Sequence, residues 1–372
     1  MVRLGIDSRD AFAEHPRGVG KALSELIHHL LPLVSDWEVN LYTIRAGNIE
    51  FAPARTKRVD IRGDRFNAWE QIRLPLAALT SRLDLLHCPS QTAPFTAPCP
   101  IVLTVHDLIP IRIVDGWSPT MVKRFARCLA QSVRKARRII AISEFTKKEL
   151  LSTFDIPENK IDVVRWGIDR KVGEIPSKEF WERLCQEYGI RLPFFVAFGG
   201  EAPRKNVPRI LEALNFFVRE VNRDVQLLLL GVPALARAKF AAIAERLGVS
   251  RNMIQIGYIA DSTVAALLAR SEGLVYASLY EGFGLPILEA MAAGSPVITS
   301  SVTSMPEIAG NAALLIDPYN PHSIKDAMRA CYLNEPIKLG MRQKGLDRIK
   351  SFPWKRSAEL TFATYKRALA GT

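Results

Sequence analysis

The chain has 372 residues, 48% of them hydrophobic and 24% charged, and 50 Lys and Arg against 38 Asp and Glu give a net charge of +12. That length suits two domains better than one core, and that apolar share excludes a disordered chain. Five scattered cysteines without CxxC spacing argue against a disulfide framework and a structural zinc site. No apolar run reaches the roughly 18 residues of a bilayer span, and the polar start "MVRLGIDSRD" lacks a signal-peptide pattern. A reducing cytoplasm is the expected compartment.

In chain order, "VRLGID" predicts a first strand, "GKALSELIHHLL" a helix and "EVNLYTI" a second strand. Between the first two lies "RGVGKA", Arg17 to Ala22. It fails the phosphate-loop pattern, because His15 stands where the first glycine belongs and Ala22 replaces the Ser or Thr. It fails the dinucleotide pattern too, with Leu23 at the third glycine position. What is left is a Gly18-x-Gly20 turn at a helix start, where a ligand could approach the backbone and the positive helix end. A plain helix-start turn is the alternative.

"DLLHCP" and "IVLTVHD" predict two more strands, the second ending at His106-Asp107. A histidine at a strand's carboxyl end is a candidate for substrate contact; a satisfied core histidine is the duller reading. From Lys123 to Arg138 the chain carries seven basic residues and no acid. Phe125, Leu129 and Val133 recur every fourth position, which predicts a helix burying that stripe and turning its cations outward. Such a face attracts anionic lipid or a phosphorylated substrate, or is simply solvated. With one aromatic residue and no zinc-finger or RNP pattern beside it, nucleic acid is not the expected partner. "RRIIAIS" and "KIDVVRWGI" read as further strands, with Ser143 as a helix cap.

After a charged, broken stretch near Gly173 to Pro193, strand-like runs resume: "FFVAFGG", "VQLLLLG", "MIQIGYI", "GLVYAS" and "PVITSS". Helices alternating with non-alternating apolar runs predict an α/β chain of two Rossmann-like, doubly wound domains, 1–172 and 173–353, facing a cleft. In such sheets ligands sit at the carboxyl ends of the strands. Two candidate elements fall there. In "FGGEAPRKNVPRILEAL", Arg204 and Lys205 precede a helix whose expected cap is Asn206 and whose first turn holds Pro208, an arrangement suited to a diphosphate. In "SLYEGFGLPILEAMAAG", Glu281 lies in a glycine-rich loop and Glu289 about one turn into the helix that Pro286 begins. Both acids can then accept hydrogen bonds from the hydroxyls of one ligand, a ribose and a sugar ring, with loop N–H groups beside them.

The Gly18-Val19-Gly20 turn, "TVHDLIP", "AISEFTKKEL", "GGEAPRKNVPRILEA", "YEGFGLPILEAMAAGSPVITS" and "SMPEIAGNAALLIDP" occur in this order along nearly the whole chain. Together they resemble the family 4 glycosyltransferases of the GT-B fold, and most of all the bacterial mannosyl- and related transferases that build surface polysaccharides. The resemblance implies retaining transfer of a sugar from a GDP- or UDP-linked donor, with mannose from GDP-mannose the leading choice, to a glycan or lipid-linked acceptor. It assigns Arg204 and Lys205 to the donor diphosphate and Glu289 to the ribose. Glu281 and the amides of Phe283, Gly284 and Leu285 go to the sugar, with His106 contacting it from the other domain. It implies no metal and no cofactor beyond the nucleotide sugar. It also returns the last helix, in 354–372, to the first domain. "VVRWGID" departs from the family pattern, which commonly has Asn where Trp166 stands. A lipid-linked acceptor and the basic segment together suggest peripheral contact with the inner face of the plasma membrane. An epimerase-like enzyme of the same architecture and a non-enzymatic polyanion-binding protein are the competing readings.

Overall fold

The apolar runs become parallel strands buried on both faces, as their lack of alternation requires. In this computed structural model the described residues are 1–12, 18–44, 55–63, 68–113, 116–168 and 177–371. The first half supplies β1 (Arg3–Asp7), β2 (Glu38–Thr43), β3 (Thr56–Asp60), β4 (Leu85–Cys88), β5 (Ile101–Val105), β6 (Arg138–Ala141) and β7 (Ile161–Val163). They form one parallel sheet in the order β3-β2-β1-β4-β5-β6-β7. The second half supplies β8 (Phe194–Phe198), β9 (Gln226–Leu230), β10 (Met253–Gln255), β11 (Leu274–Tyr276), β12 (Val297–Ser300) and β13 (Leu314–Ile316), ordered β10-β9-β8-β11-β12-β13. Both orders are doubly wound, each reversing direction beside its first strand.

Two of these strands, β3 and β13, are missing from the sequence expectation. Both are sheet edges. Thr56–Asp60 reads "TKRVD" and no residue of it is fully buried, so it lacks the apolar run that marks the inner strands.

The chain divides into two compact units. One comprises Met1–Arg112, Trp117–Gly167 and Phe352–Thr372, and the other is built on Ile168–Ser351. The expected boundary at 172/173 lies outside the described residues. The first core gathers Trp69, Leu103, Leu129 and Val133, and the second gathers Phe195, Leu211, Phe217 and Leu229. The last helix, Trp354–Ala370, docks on the first unit, where Tyr365 Oη lies 2.7 Å from His87 Nδ1 and Thr364 Oγ1 donates to Asp162 at 2.9 Å. Among the described residues no helix is long and apolar enough to cross a membrane.

The basic segment forms the helix Pro119–Lys135, started by Ser118, whose Oγ accepts from Met121 N at 3.3 Å. Leu129 and Val133 are fully buried and Phe125 packs partly against the same core. Lys123, Arg124, Arg127, Arg134 and Lys135 are exposed, as is Arg137 beyond the helix end. Arg138 corrects the expectation of seven outward cations. It opens β6, is buried, and pairs with Asp162 of the neighbouring β7 at 2.7 Å. The pairing partner on the next strand draws its charge inward.

Candidate functional site

In the second unit the site lies where β8 and β11 run side by side, their neighbours β9 and β12 leading away on opposite edges. Loops leaving the carboxyl ends of two such strands diverge, and the space between them receives ligands. Arg204 and Lys205 sit on the short turn Pro203–Lys205 after β8; Glu281 sits on the loop after β11. Although the sequence assigned the cations and the acid to different parts of a ligand, the structure joins them. Glu281 Oε1 accepts from Arg204 Nη1 at 2.6 Å, from Lys205 Nζ at 2.7 Å and from Ser278 Oγ at 2.7 Å. Burial by itself would raise this carboxyl, but Lys205 and Arg204 outweigh it and hold it down at about 2. Glu281 is therefore ionised at any ordinary pH. Lys205 Nζ also donates to Tyr276 Oη at 3.2 Å. Burial and the Glu281 charge push that phenol well above its usual range, so it stays protonated.

Asn206 positions the cation-bearing turn in a way the sequence did not reveal. It occupies the N-cap of the helix Val207–Glu220 but makes no side-chain cap. Its backbone is left-handed at φ 60°, and its Nδ2 donates to the carbonyls of Ala277 at 2.9 Å and Pro318 at 2.7 Å. The expected cap is thus a stitch between the loops after β8 and β11. Ser278 adds to it, its Oγ lying 3.0 Å from the Arg204 carbonyl while Leu279 N donates to the same oxygen at 2.8 Å.

The Glu281 loop is held from behind by the segment after β12. Thr303 Oγ1 accepts from Glu281 N at 3.3 Å, and Ser304 Oγ lies 2.8 Å from the carbonyls of both Glu281 and Phe283. Thr303 is β-branched yet has φ 58°, a conformation costing on the order of 1–3 kcal/mol. Such strain persists where surrounding contacts fix a loop for a purpose. Phe283 is buried, and Gly284 has φ 105°, which a side chain would resist. That kink starts the helix Leu285–Ala292 without a side-chain cap and points its amino end into the loop. Glu289 lies half-buried on this helix.

The first unit has its own reversal point, between β1 and β4. There Arg9 Nη2 lies 2.5 Å from Glu70 Oε2 and 3.0 Å from Asp7 Oδ2, with its guanidinium 4.7 Å from the Trp69 ring centre. Thr92 Oγ1 donates to Glu70 at 2.8 Å and Ser90 Oγ to Asp10 at 2.6 Å. Burial pushes Asp7 up to about 6, against the pull of Arg9. None of these residues was singled out in the sequence; an Asp ending the first strand was the available signal.

His106 follows β5, buried, with its ring 5.1 Å from that of Trp166. Its Nε2 lies 2.5 Å from the Pro89 carbonyl, which fixes the proton there and leaves Nδ1 an acceptor without a hydrogen-bond partner among the described residues. Burial lowers this imidazole to about 4, the Pro89 carbonyl opposing, so it is neutral near pH 7. Gln91 holds the loop, accepting from His106 N at 2.8 Å and donating to the Asp107 carbonyl at 3.2 Å. Gly18 caps the helix Val19–Leu30 at φ 38° and Gly20 lies buried within that helix; Arg17 is outside the described residues. Ser143 caps Glu144–Thr153, its Oγ accepting from Thr146 N at 3.0 Å. Among the described residues no three His, Cys, Asp or Glu side chains cluster as metal ligands would.

Residues 16–172 match the family described as Glycosyltransferase Family 4, and residues 186–347 match Glycosyl transferases group 1. The O-antigen chain mannosyltransferase B of Escherichia coli is 29% identical over 272 residues, 71% of this chain and 70% of that protein. The serotype-specific mannosyltransferase WbdA of Escherichia coli is 27% identical over 76% of this chain, which spans only 34% of WbdA. Among solved structures, sucrose-phosphate synthase from Thermosynechococcus elongatus aligns over 100% of both chains with a TM-score of 0.78 at 15% identity. HepE of Anabaena, in complex with UDP and glucose, aligns over 98% of this chain and 100% of its own with a TM-score of 0.77 at 16% identity. Both structures share the two-domain GT-B architecture with this chain. With both halves matched in this order, the chain belongs to the family 4 glycosyltransferases that carry a C-terminal group 1 domain.

Proposed function

We propose that the protein is a retaining, metal-independent glycosyltransferase that moves mannose from GDP-mannose to a glycan or lipid-linked acceptor in surface polysaccharide biosynthesis, on the cytoplasmic side of the membrane. The observation that carries this reading is the pair Arg204 and Lys205, set at the reversal point of the second unit beside Glu281. Mannose is favoured by the two mannosyltransferase relatives. A nucleotide-sugar donor is favoured by HepE, solved with UDP and glucose.

In this reading Arg204 and Lys205 bind the donor diphosphate and offset the charge that grows on it as its bond to the sugar breaks. Glu289 accepts from the ribose hydroxyls. Glu281 and the amides of Phe283, Gly284 and Leu285 hold the sugar, and His106 Nδ1 accepts from a sugar hydroxyl. The acceptor oxygen bonds to the anomeric carbon on the face the diphosphate leaves. Its proton needs a base. Glu281 at about 2 and neutral His106 at about 4 are poor ones near neutrality. A departing phosphate oxygen, with a pKa of about 6, is better and takes the proton.

The test is release of nucleoside diphosphate from a panel of GDP-mannose, UDP-glucose, UDP-galactose and UDP-N-acetylglucosamine, with a mannose-terminated glycan as acceptor. GDP-mannose should be used, in EDTA as well as without it, and the product linkage should keep the donor's anomeric configuration. No turnover of any donor, or turnover abolished by EDTA and restored by Mn²⁺, would overturn the assignment.

A further inference from the structure

A cavity of about 420 Å³ opens on the exposed side of the helix Pro119–Lys135. Lys123, Arg124, Arg127, Cys128 and Gln131 line it from the helix, and Phe95 closes it from the loop after β4. The helical positions lie three or four apart, so they form a single stripe, turned away from the one that buries Leu129 and Val133. None of the described residues lining the cavity is acidic. The side chains of Lys123, Arg124 and Arg127 make no ion pair or hydrogen bond with any described residue, whereas Arg112 and Arg138 of the same unit have carboxylate partners at 2.6 and 2.7 Å. Three unpartnered cations within about 6 Å of helix rise concentrate positive potential over a small area. Phe95, 37% exposed, and the half-buried Cys128 give the same cavity an apolar wall.

That wall is tied to the reversal point of the first unit. Phe95 N donates to Gln71 Oε1 at 2.9 Å, Gln71 Nε2 donates to Glu70 Oε1 at 2.9 Å, and Glu70 holds Arg9. The cavity is therefore built into the same scaffold as the strand ends where the first unit would receive an acceptor.

We propose that this cavity binds the phosphate of an amphipathic acceptor, with Lys123, Arg124 and Arg127 on the phosphate and an adjoining apolar moiety against Phe95 and Cys128. The role as acceptor site rests on the transferase reading; the binding chemistry does not. A flat membrane surface would use the cations without the cavity. A phosphorylated sugar without an apolar part would use them without Phe95. Both a pocket and an apolar wall are present, which favours a single molecule carrying both features.

The test is calorimetric titration of the full chain with monomeric n-octyl phosphate, inorganic phosphate and n-octyl glucoside at low ionic strength. Octyl phosphate should bind and be weakened by salt, octyl glucoside should not bind, and inorganic phosphate should bind more weakly than octyl phosphate. Arg124→Gln/Arg127→Gln should weaken octyl phosphate about tenfold or more. Phe95→Ala should weaken octyl phosphate and leave inorganic phosphate unchanged. Equal affinity for the two phosphates, no effect of the double substitution, or binding to phosphatidylglycerol vesicles without binding to octyl phosphate would each overturn the proposal. GDP and UDP titrations and donor hydrolysis on the same samples separate the two readings. Donor hydrolysis without octyl phosphate binding sinks the cavity alone. Octyl phosphate binding without any donor turnover sinks the transferase reading, and the acceptor role with it.

Discussion

Replacing Glu281 with Gln is expected to move nucleotide affinity and transfer in opposite directions. One oxygen of this carboxylate takes Arg204, Lys205 and Ser278 at 2.6, 2.7 and 2.7 Å. The fall of its carboxyl from 4.5 to about 2 corresponds to about 3 kcal/mol of net stabilisation of the charged form. A diphosphate claiming the same two cations competes with that attraction and meets the carboxylate's repulsion. Gln keeps the shape and removes the charge. The substitution recovers only part of the total, because Glu281 stays close to the cations after they turn to the diphosphate. GDP or UDP should therefore bind tighter by about 1 kcal/mol, roughly fivefold. Transfer should fall about 10- to 100-fold, the cost of losing one charge-assisted hydrogen bond to the sugar. Titration calorimetry with the nucleoside diphosphate and steady-state kinetics with the sugar donor read the two effects separately. Weaker nucleotide binding by the variant would refute the reasoning, because it would mean that Glu281 aligns the cations for the diphosphate rather than competing with it. The same pairing sets an acid limb. A carboxyl lowered in the folded state adds stability above about pH 4.5 that is lost as pH falls toward 2. Acid unfolding of the variant should be correspondingly shallower in that window.

On the proposed ribose role, Glu289→Ala is expected to weaken nucleoside diphosphate binding by about 1.5–3 kcal/mol with little change in turnover at saturating donor; a turnover defect at unchanged affinity would place it at the sugar instead. The exposed cations Arg134, Lys135 and Arg137 are expected to hold the protein on anionic vesicles at low salt, at about 1 kcal/mol per charge, and to release it at high salt. Changing these three to Gln should abolish co-sedimentation and spare transfer to a soluble acceptor. Arg138 is left intact because it is buried and pairs with Asp162 at 2.7 Å. Wild-type protein that ignores such vesicles would make this end of the helix a solvated face.

The doubly wound halves were legible because strands covered on both faces are dominated by apolar residues, as the inner strands are, with exceptions such as His87 in β4 and Arg138 in β6. The edge strand Thr56–Asp60 has no fully buried residue, only Val59 packing partly against the core, and its composition carries no such mark. At the site, Arg204, Lys205 and Glu281 stood out because glycine, proline and charge coincide after a strand. Their union did not, because it depends on β8 lying beside β11, a pairing between segments 77 residues apart at Arg204 and Glu281. Asn206 shows the same limit. Asn before Val-Pro is a sound local cap signal, yet two carbonyls 71 and 112 residues away compete for its amide and win. The Asp7–Arg9–Glu70 cluster is assembled from residues up to 63 positions apart, and its only local sign was the Asp that ends the first strand.

Each unit carries cations at its reversal point, but the two sets are not equally available, and this favours the second unit for an anionic donor. The Arg9 side chain is 1% exposed, between two carboxylates that are 0% and 5% exposed. Presenting it to a diphosphate would require leaving Asp7 and Glu70 buried without their counter-charge, a cost of several kcal/mol. Arg9 therefore serves as scaffold for the loops after β1 and β4. Arg204 and Lys205 are each 18% exposed and share one carboxylate, itself 11% exposed. Both cations therefore reach the surface of the loop cluster, beside the amino end of Leu285–Ala292, which has no side-chain cap. An arriving diphosphate can reach both cations from that surface, in competition with Glu281. The arrangement in the first unit offers no exposed cation, since Arg9 is buried facing two acids.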